Sequence, residues 1–285
     1  MTSRTWTIHE VLEWTTSDFA SRQIATPRLD AELLVAEALG IDRVGLYLDL
    51  NRPLVDDERA SIRALVSRRR DREPVAYILG YRDFYGRRFT VDSSVLIPRP
   101  DTETLIGHAL ECIPKDTPFR VLDVGTGSGV IALTLAAERP LATVIGTDVS
   151  EEALCVASRN AAELGLGDRV RFVQAHLVDE GSEHDLVVSN PPYVTHAQMA
   201  ELEPEVRDYE PSLALEAGKD GLDVVRMLLV AAAPVTRAGA QMLIEVGQDQ
   251  AGSVLALAER SDAWAPVGTH LDLNRIERVV HLRRT

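Results

Sequence analysis

The stretch VLDVGTGSG, residues 121–129, decides the fold of this chain. Its first four residues form a short apolar run typical of a buried strand, and a loop of alternating glycines follows. A helical pattern over residues 130–137 comes directly after the loop. Because glycine lets the backbone approach a ligand and a helix N-terminus offers free N–H groups, this order predicts a nucleotide-binding turn.

A second apolar strand, residues 143–147, ends in Asp148, about 20 residues after the glycine loop. A carboxylate at that position can accept hydrogen bonds from both hydroxyls of a ribose. Asp148 can equally serve as the N-cap of the helix that begins near Ser150. The residues alone leave both roles open.

A third feature, the tetrapeptide NPPY, follows the apolar run of residues 185–189. That run predicts a buried parallel strand, whose carboxyl end is where α/β folds bind ligands. Pro191 and Pro192 fix the backbone and remove two N–H donors, and Pro191 holds Asn190 in an extended conformation. The loop therefore presents an amide side chain, bare carbonyl groups and the ring of Tyr193. This combination suits a planar NH2 group, although NPPY alone is also compatible with a polar turn.

The glycine loop and the acidic strand end fit either a nicotinamide dinucleotide or S-adenosylmethionine. The spacing here is G-x-G-x-G rather than the G-x-G-x-x-G of the dinucleotide fingerprint. No second mononucleotide half with its own phosphate loop follows along the sequence. We favour S-adenosylmethionine, because a methyl donor beside an amide-binding loop makes chemical sense and a hydride carrier does not.

Taken together, the motifs resemble those of the release factor glutamine methyltransferases, the family called HemK or PrmC. The resemblance extends over most of the chain, and its segments are PRLDAE (27–32), PVAYILG (74–80), LIPRPDTE (96–103), the glycine loop and NPPY. The combination of IPRPDTE with NPPY is specific to this family. NPPY alone is shared with methyltransferases that act on adenine, on cytosine and on other proteins.

The resemblance implies methyl transfer from S-adenosyl-L-methionine to the side-chain nitrogen (N5) of the glutamine in the Gly-Gly-Gln loop of peptide chain release factors. S-adenosyl-L-homocysteine is the product, and no metal is expected. The expected catalytic residues are Asn190, Pro191 and Tyr193, and the expected substrate-binding residues are Asn190, Pro191, Pro192 and Tyr193. The residues expected to hold the cofactor are Gly125, Thr126, Gly127, Ser128, Gly129, Asp148, Leu177 and Asn190.

Two positions near the expected cofactor site carry further predictions. Asp123 either orients the glycine loop or approaches the methionine ammonium, and a structural role at the strand end is slightly favoured. His176 and Leu177 stand where the family has an acidic residue and an aromatic residue facing the adenine. Leucine can still pack on a purine face, whereas histidine could contact the adenine amine only through an unprotonated ring nitrogen.

The composition is that of a cytoplasmic globular enzyme: 285 residues, 45% hydrophobic and 26% charged. The N-terminus lacks a basic region followed by an apolar stretch, so we expect no secretory signal, and no apolar run reaches membrane-spanning length. The formal net charge of −14 argues against direct nucleic-acid binding, which needs clustered Lys and Arg, but suits a basic protein partner. We therefore expect no nucleic-acid or membrane partner.

The predicted fold is α/β: a class I (Rossmann-like) methyltransferase with a C-terminal antiparallel hairpin, preceded by a small N-terminal helical bundle and a β-hairpin joint. The predicted divisions are 1–74 for a helical partner-recognition domain, 75–94 for the hairpin linker and 95–285 for the methyltransferase domain. Thr7 and Glu10 predict a capping box, and Thr26 a cap before a first-turn proline. The predicted terminal hairpin pairs residues 264–271 with residues 276–282.

Several finer predictions concern single segments. Residues 56–70 should form a helix whose arginine run, residues 68–70 with Arg72, is a solvated helix end. Cys112 and Cys155 both lie in probable helices and lack CxxC spacing, so we expect buried thiols rather than metal ligands or a disulfide. A polar stretch around residues 201–210 should form a mobile loop over the site, and a helix should cover residues 221–237.

Two other functions remain compatible with the residues. An amino-methyltransferase acting on adenine or cytosine would use the same chemistry, but the negative charge and the lack of a basic recognition segment count against it. A non-catalytic module that binds a translation factor would keep the fold, but binding alone does not require NPPY.

Overall fold

A computed structural model describes residues 6–178 and 183–285. Within it the chain forms two compact units. The helical unit contains the described part of residues 1–80 together with residues 204–209, and the sheet unit contains the described part of residues 81–203 and 210–285. The helices are α1 (Ile8–Ser21), α2 (Pro27–Leu39), α3 (Arg43–Leu48), α4 (Asp56–Arg70), α5 (Val75–Leu79), α6 (Thr102–Cys112), α7 (Val130–Glu138), α8 (Glu151–Glu163), α9 (His196–Met199), α10 (Pro204–Arg207), α11 (Asp223–Ala232) and α12 (Ala251–Glu259). The strands are β1 (Tyr81–Phe84), β2 (Arg87–Thr90), β3 (Phe119–Val124), β4 (Ala142–Asp148), β5 (Val170–Gln174), β6 (His184–Ser189), β7 (Thr236–Glu245), β8 (Trp264–Leu271) and β9 (Glu277–Arg284).

The helical unit begins with the predicted capping box. The Thr7 hydroxyl accepts a hydrogen bond from the Glu10 amide at 3.3 Å, and the Glu10 carboxylate accepts one from the Thr7 amide at 3.0 Å. Thr26 precedes Pro27 as predicted, but its hydroxyl donates to the Asp30 carboxylate instead of capping the helix. The unit has its own apolar core, which includes Ile8, Leu12, Phe19, Leu34, Ile62 and Val66.

The prediction of a solvated arginine run at the end of α4 is wrong for Arg69, whereas Arg68 and Arg70 are exposed. Arg69 is only 5% exposed. Its Nε lies 2.7 Å from the Asp30 carboxylate, and its Nη2 lies 2.7 Å from the carboxylate of Glu205, which belongs to the same unit. Burial raises the pKa of Glu205. The hydrogen bond from Arg69, together with other contacts, outweighs burial and holds that pKa below its ordinary value. The run therefore supplies an internal ion pair, which sequence periodicity cannot distinguish from a solvated helix end.

The sheet unit is built on seven strands in the order β5-β4-β3-β6-β7-β9-β8. The first five are parallel, and β9 and β8 add the antiparallel hairpin predicted at the C-terminus. Apolar clusters cover both faces of the sheet, which explains the continuous apolar runs of β3 and β6. In the sheet, β3 lies between β4, the next strand along the chain, and β6. The direction in which successive strands are added therefore reverses between β3 and β6. This is the place where such folds bind ligands.

Two predicted elements, the hairpin joint and the helix over residues 221–237, have different boundaries in the structure. Residues 75–79 form α5 rather than part of the hairpin, and only β1 and β2 pair, around a two-residue turn at Tyr85 and Gly86. Both turn residues have positive φ, at 48° and 71°, as a tight hairpin turn with the right-handed twist requires. Helix α11 ends at Ala232, and Arg237 already lies in β7.

The polar stretch around residues 201–210 was predicted to be a mobile loop, and it contains the short helix α10, with α9 just before it. Its mobility stays a prediction. Both cysteines are free thiols, but Cys155 is exposed, contrary to the prediction, and Cys112 is half-buried. No helix in residues 6–178 and 183–285 is both long and apolar enough to cross a membrane.

Candidate active site

A cavity of about 300 Å³ opens in the sheet unit at the carboxyl ends of β3, β4 and β6. Its lining joins the separate sequence motifs: part of the LIPRPDTE segment, the glycine loop, Asp148, the His176–Leu177 pair and NPPY. The expected site residues that line it are Gly125, Thr126, Gly127, Ser128, Asp148, Leu177, Asn190, Pro191 and Pro192. Gly129 and Tyr193 are not among its lining residues.

The glycine loop divides into two ligand-facing glycines and one packing glycine. Gly125 and Gly127 have φ of 73° and 54°, and a Cβ added to either would point into open space. Gly129 has φ of 80° and caps α7, where an added Cβ would lie 3.0 Å from Leu133 and 3.2 Å from Phe172. The first two positions therefore leave room for a ligand, and the third lets α7 approach α8 and β5.

Asp148 has no capping role, which resolves one open alternative. The N-cap of α8 is Ser150, whose hydroxyl accepts from the Ala153 amide at 3.1 Å. Asp148 accepts from the Gly127 amide at 2.9 Å and from the Ser150 amide at 3.0 Å, and it still lines the cavity. Its carboxylate is thus held by the glycine loop and presented to the cavity, where oxygen lone pairs remain for hydroxyl donors.

Asp123 lies beneath the loop rather than in the cavity lining. It is fully buried, and its Oδ2 accepts from the Thr126 hydroxyl at 2.7 Å and the Ala132 amide at 3.1 Å. Burial raises the pKa of Asp123 to about 7. These contacts give Asp123 the structural role favoured from the sequence, because they tie the end of β3 to the loop and to the first turn of α7.

The NPPY loop begins where β6 ends, and the LIPRPDTE segment supports it. Asn190 lines the cavity, and its Nδ2 donates to the Thr102 hydroxyl at 3.2 Å. Thr102, the first residue of α6, is only 2% exposed. In the same segment, the Ile97 amide and the Arg99 guanidinium donate to the buried Glu210 carboxylate. The two specific motifs of the sequence therefore meet at one side chain, Asn190.

Comparison with known proteins places this arrangement in a family. Residues 10–80 match the PrmC N-terminal domain family, and residues 104–204 match the methyltransferase small domain family. Proteins named release factor glutamine methyltransferase match over nearly the whole chain. The protein from Geobacter sulfurreducens is 43% identical over 277 residues, covering 96% of each chain. The protein from Chlorobaculum tepidum is 43% identical, covering 96% of each chain, and that from Rhodopirellula baltica is 38% identical, covering 98% of this chain and 97% of its own.

The chain belongs to the release factor glutamine methyltransferase family. The resemblance drawn from the motifs is thereby confirmed, and so is the methyltransferase fold. Among solved structures, a methyltransferase from Pyrococcus furiosus superposes with a TM-score of 0.51 at 17% identity, covering 70% of this chain and 90% of its own. A tRNA m1G37 methyltransferase from M. jannaschii gives a TM-score of 0.51 at 14% identity, covering 72% of this chain and 56% of its own. At these identities the two structures show the fold alone.

In this member of the release factor glutamine methyltransferase family, Asn190 lines the cavity and Tyr193 does not. The Tyr193 ring lies beside Gly247, where an added Cβ would come within 3.1 Å of the ring. The Tyr193 carbonyl accepts a hydrogen bond from Nε2 of the Gln250 side chain at 3.0 Å, and Oε1 of Gln250 accepts one from the Gly247 backbone amide at 3.0 Å. Burial raises the pKa of the Tyr193 phenol, so Tyr193 is neutral at physiological pH. The loop after β7 thus fixes the second half of NPPY.

Sequence reasoning missed four supporting side chains of the site: Thr102, Glu210, Glu245 and Gln250. Thr102 was part of the LIPRPDTE motif but had no assigned role. Glu245 ends β7 beside NPPY and is only 1% exposed. An ionisable residue at the end of an otherwise apolar strand was the available signal, because charged side chains are rarely buried without a partner or a function.

Proposed function

We propose that this protein transfers a methyl group from S-adenosyl-L-methionine to the side-chain amide nitrogen (N5) of the glutamine in the Gly-Gly-Gln loop of peptide chain release factors. One observation carries the proposal: an amide side chain, Asn190, opens onto a nucleotide-type cavity and is held there by Thr102. Family membership supports the choice of glutamine as the acceptor. We also propose that the protein works in the cytoplasm, where translation ends.

The residues present fit the methyl donor. Gly125 and Gly127 leave the backbone open to a ligand, the Asp148 carboxylate lies at the cavity wall for a ribose, and Leu177 offers an apolar surface to a purine. Thr126 and Ser128 complete the loop at the wall of the cavity. No group of three or more His, Cys, Asp or Glu side chains among residues 6–178 and 183–285 is arranged to hold a metal ion.

The proposed chemistry is positioning. When bound, S-adenosylmethionine supplies an electrophilic methyl group on a sulfonium. An amide nitrogen is a poor nucleophile because its lone pair is delocalised, so the site must aim that lone pair at the methyl carbon. The Asn190 side-chain oxygen and the Pro191 carbonyl accept the two hydrogen bonds from the substrate NH2 group, and Tyr193, outside the cavity lining, fixes the loop that presents them. These acceptors also match the positive charge that forms on nitrogen. The extra proton becomes acidic after transfer and leaves to water.

We infer that the helical unit recognises the release factor. A groove of about 510 Å³ lies along α1 and α4, with an apolar floor that includes Trp14, Ile62 and Val66. Arg59, Arg63 and Arg70 line the same groove. Arg59 forms an ion pair with Asp56 and Arg70 forms one with Asp18, so Arg63 supplies the positive charge without an ion pair among the described residues. The groove suits a partner segment that carries both apolar and acidic side chains.

Radiolabelled S-adenosylmethionine tests the proposal. The protein is incubated with labelled cofactor and, in separate reactions, with purified release factor, DNA or RNA. We expect label only in the release factor, with mass spectrometry placing it on the loop glutamine. A release factor whose loop glutamine is replaced by alanine is the matched control and should stay unlabelled. Label in nucleic acid, or at another residue of the release factor, would overturn the proposal.

A further inference from the structure

Glu245 is a buried carboxylate that the proposed chemistry leaves without a role. It ends β7, where Ile244 pairs with Ser189 of β6. Glu245 therefore lies beside Asn190, which follows Ser189. The side chains of Thr102 and Asn190 lie within hydrogen-bonding reach of its carboxylate. Its Oε2 atom has no well-aligned partner among the described residues, although Glu245 is only 1% exposed.

We propose that Glu245 is a positioning residue, which sets the orientation of the Asn190 amide and so decides whether its oxygen faces the substrate. The inference rests on the proposed function and adds a residue to it. Glu245 does not reach the cavity lining and acts through Asn190.

Hydrogen-bond chemistry supports this role. An ionised carboxylate only accepts hydrogen bonds, so it can pair with Nδ2 of Asn190 and not with Oδ1. Thr102 cannot enforce this choice alone, because a hydroxyl both donates and accepts. With Nδ2 held between Thr102 and Glu245, Oδ1 is left to face the cavity and accept from the substrate amide. A protonated Glu245 could instead donate to Oδ1 and turn the amide round.

The surroundings of Glu245 place the protonation of its carboxylate near neutral pH. Burial is the largest influence and raises the pKa of Glu245 to about 7, while the hydrogen bond from Thr102 and the charge of Arg278 oppose it. Arg278 approaches from β9, and its Nη2 lies 3.3 Å from the carboxylate of Asp101. Asp101, just before α6, raises the pKa of Glu245 further. Tyr193 is the other titratable neighbour, and the Glu245 charge raises the pKa of its phenol.

The competing explanation is that Glu245 only stabilises the end of β7. The two explanations differ in the pH dependence of methyl transfer. If Glu245 orients Asn190, the single-turnover rate should rise with pH through about 7 as the carboxylate ionises. If Glu245 is only structural, the rate should not follow its ionisation.

Glu245→Gln is the decisive variant, because glutamine keeps the shape but can donate as well as accept and cannot ionise. In single turnovers on whole release factor with saturating cofactor, we expect its rate to fall about 10- to 100-fold at pH 8, the scale of a misplaced catalytic group. We also expect the inflexion near pH 7 to disappear while cofactor affinity is unchanged. Glu277→Gln, an exposed change on β9, is the matched control and should keep the wild-type profile.

Glu245→Asp provides a second arm, since it keeps an ionisable acceptor and should retain the inflexion at a reduced rate. A wild-type rate and inflexion in Glu245→Gln would overturn the inference, and so would an unchanged pH profile in a slow but folded Glu245→Gln. If the wild-type protein itself placed no methyl group on release factor, the proposed function would fail instead, so the two failures are distinguishable.

Discussion

At the scale of single residues, the site consists of a few polar groups that hydrogen bonds from other elements hold in place. Asn190 is held by Thr102, Tyr193 by Gln250, and the glycine loop by Asp148. The atoms that would meet the ligands were predictable, because glycines, paired prolines and a carboxylate at a strand end have local signatures. Their supports were not, since Thr102 and Gln250 lie 88 and 57 residues from the groups they hold. Only the sheet brings such distant positions together.

Asp148 provides the first prediction at this scale. Asp148→Ala should weaken S-adenosylmethionine binding by about 1.5–3 kcal/mol, because a charged acceptor for the ribose is lost and the Gly127 amide is left without its partner. Isothermal titration calorimetry on the folded variant measures the loss. Glu151→Ala, an exposed carboxylate three residues along the chain, is the control and should bind like wild type. Unchanged affinity in Asp148→Ala would remove the ribose assignment.

At the scale of elements, strands and helices were largely predictable, and element ends less so. The alternation of apolar strands and helical patterns predicts the parallel sheet and its terminal hairpin. Helix α5 was missed because a segment rich in tyrosine and phenylalanine follows it and favours a strand. Arg69 shows a second limit, since its burial depends on Glu205, 136 residues away. A helix-end arginine and a buried ion-pair arginine look the same in sequence.

Gly129 provides a prediction about how α7 is seated. Gly129→Ala would place a Cβ at positive φ and within about 3.0–3.2 Å of three side chains. The backbone strain costs about 1–2 kcal/mol, and the crowding adds roughly 1–3 kcal/mol. Gly165→Ala is the matched control, because Gly165 has φ of 68° with nothing within 4 Å of its added Cβ. Urea unfolding should show a larger loss for Gly129→Ala, and equal losses would contradict the close packing described here.

At the scale of the whole molecule, an acidic chain combines a cofactor-type cavity in one unit with an arginine-lined groove in the other. The comparisons establish the family for the chain as a whole. The predicted domain divisions at residues 74 and 94, and the recognition role of the first domain, stay predictions. Sequence patterns predicted α1, α2 and α4 of that domain but not the short α3. The groove depends on which arginines of α4 turn inward, and this was not predictable.

The groove gives a prediction about the intact partner. Arg63→Glu reverses one charge at the groove and should raise the KM for whole release factor about 10-fold, the effect of roughly 1.4 kcal/mol of lost binding. The kcat for a short peptide containing Gly-Gly-Gln should not change, because the chemical site is untouched. Arg82→Glu on β1, outside the groove, is the control. Steady-state kinetics with both substrates would contradict the groove assignment if Arg63→Glu behaved like that control.

Buried carboxylates give a prediction about stability and pH. The pKa of Asp123 is raised to about 7 by burial, whereas an unfolded aspartate titrates near 3.9. Between these values the folded state binds the extra proton, so the stabilising contribution is complete below about pH 4 and is lost as the pH rises through about 7. Asp123→Asn cannot titrate. The free energy of unfolding of wild type minus that of Asp123→Asn should therefore fall between about pH 4 and about pH 7 and level off above it. Urea denaturation across this range measures the difference, and a constant value would contradict the raised pKa.

The central claim is that NPPY orients a glutamine amide for methyl transfer, and Asn190 tests it most directly. The measurement is single-turnover methylation of purified release factor by protein preloaded with S-adenosylmethionine. Asn190→Ala should keep the fold and most cofactor affinity but transfer methyl about 10²–10³ times more slowly, the scale for losing one preorganised polar group. Asn190→Asp keeps an acceptor and should retain partial activity with an altered pH dependence, since the new carboxylate titrates. If both variants transferred methyl to the loop glutamine at the wild-type rate, NPPY would be only a turn in this protein, and the proposed mechanism would be wrong.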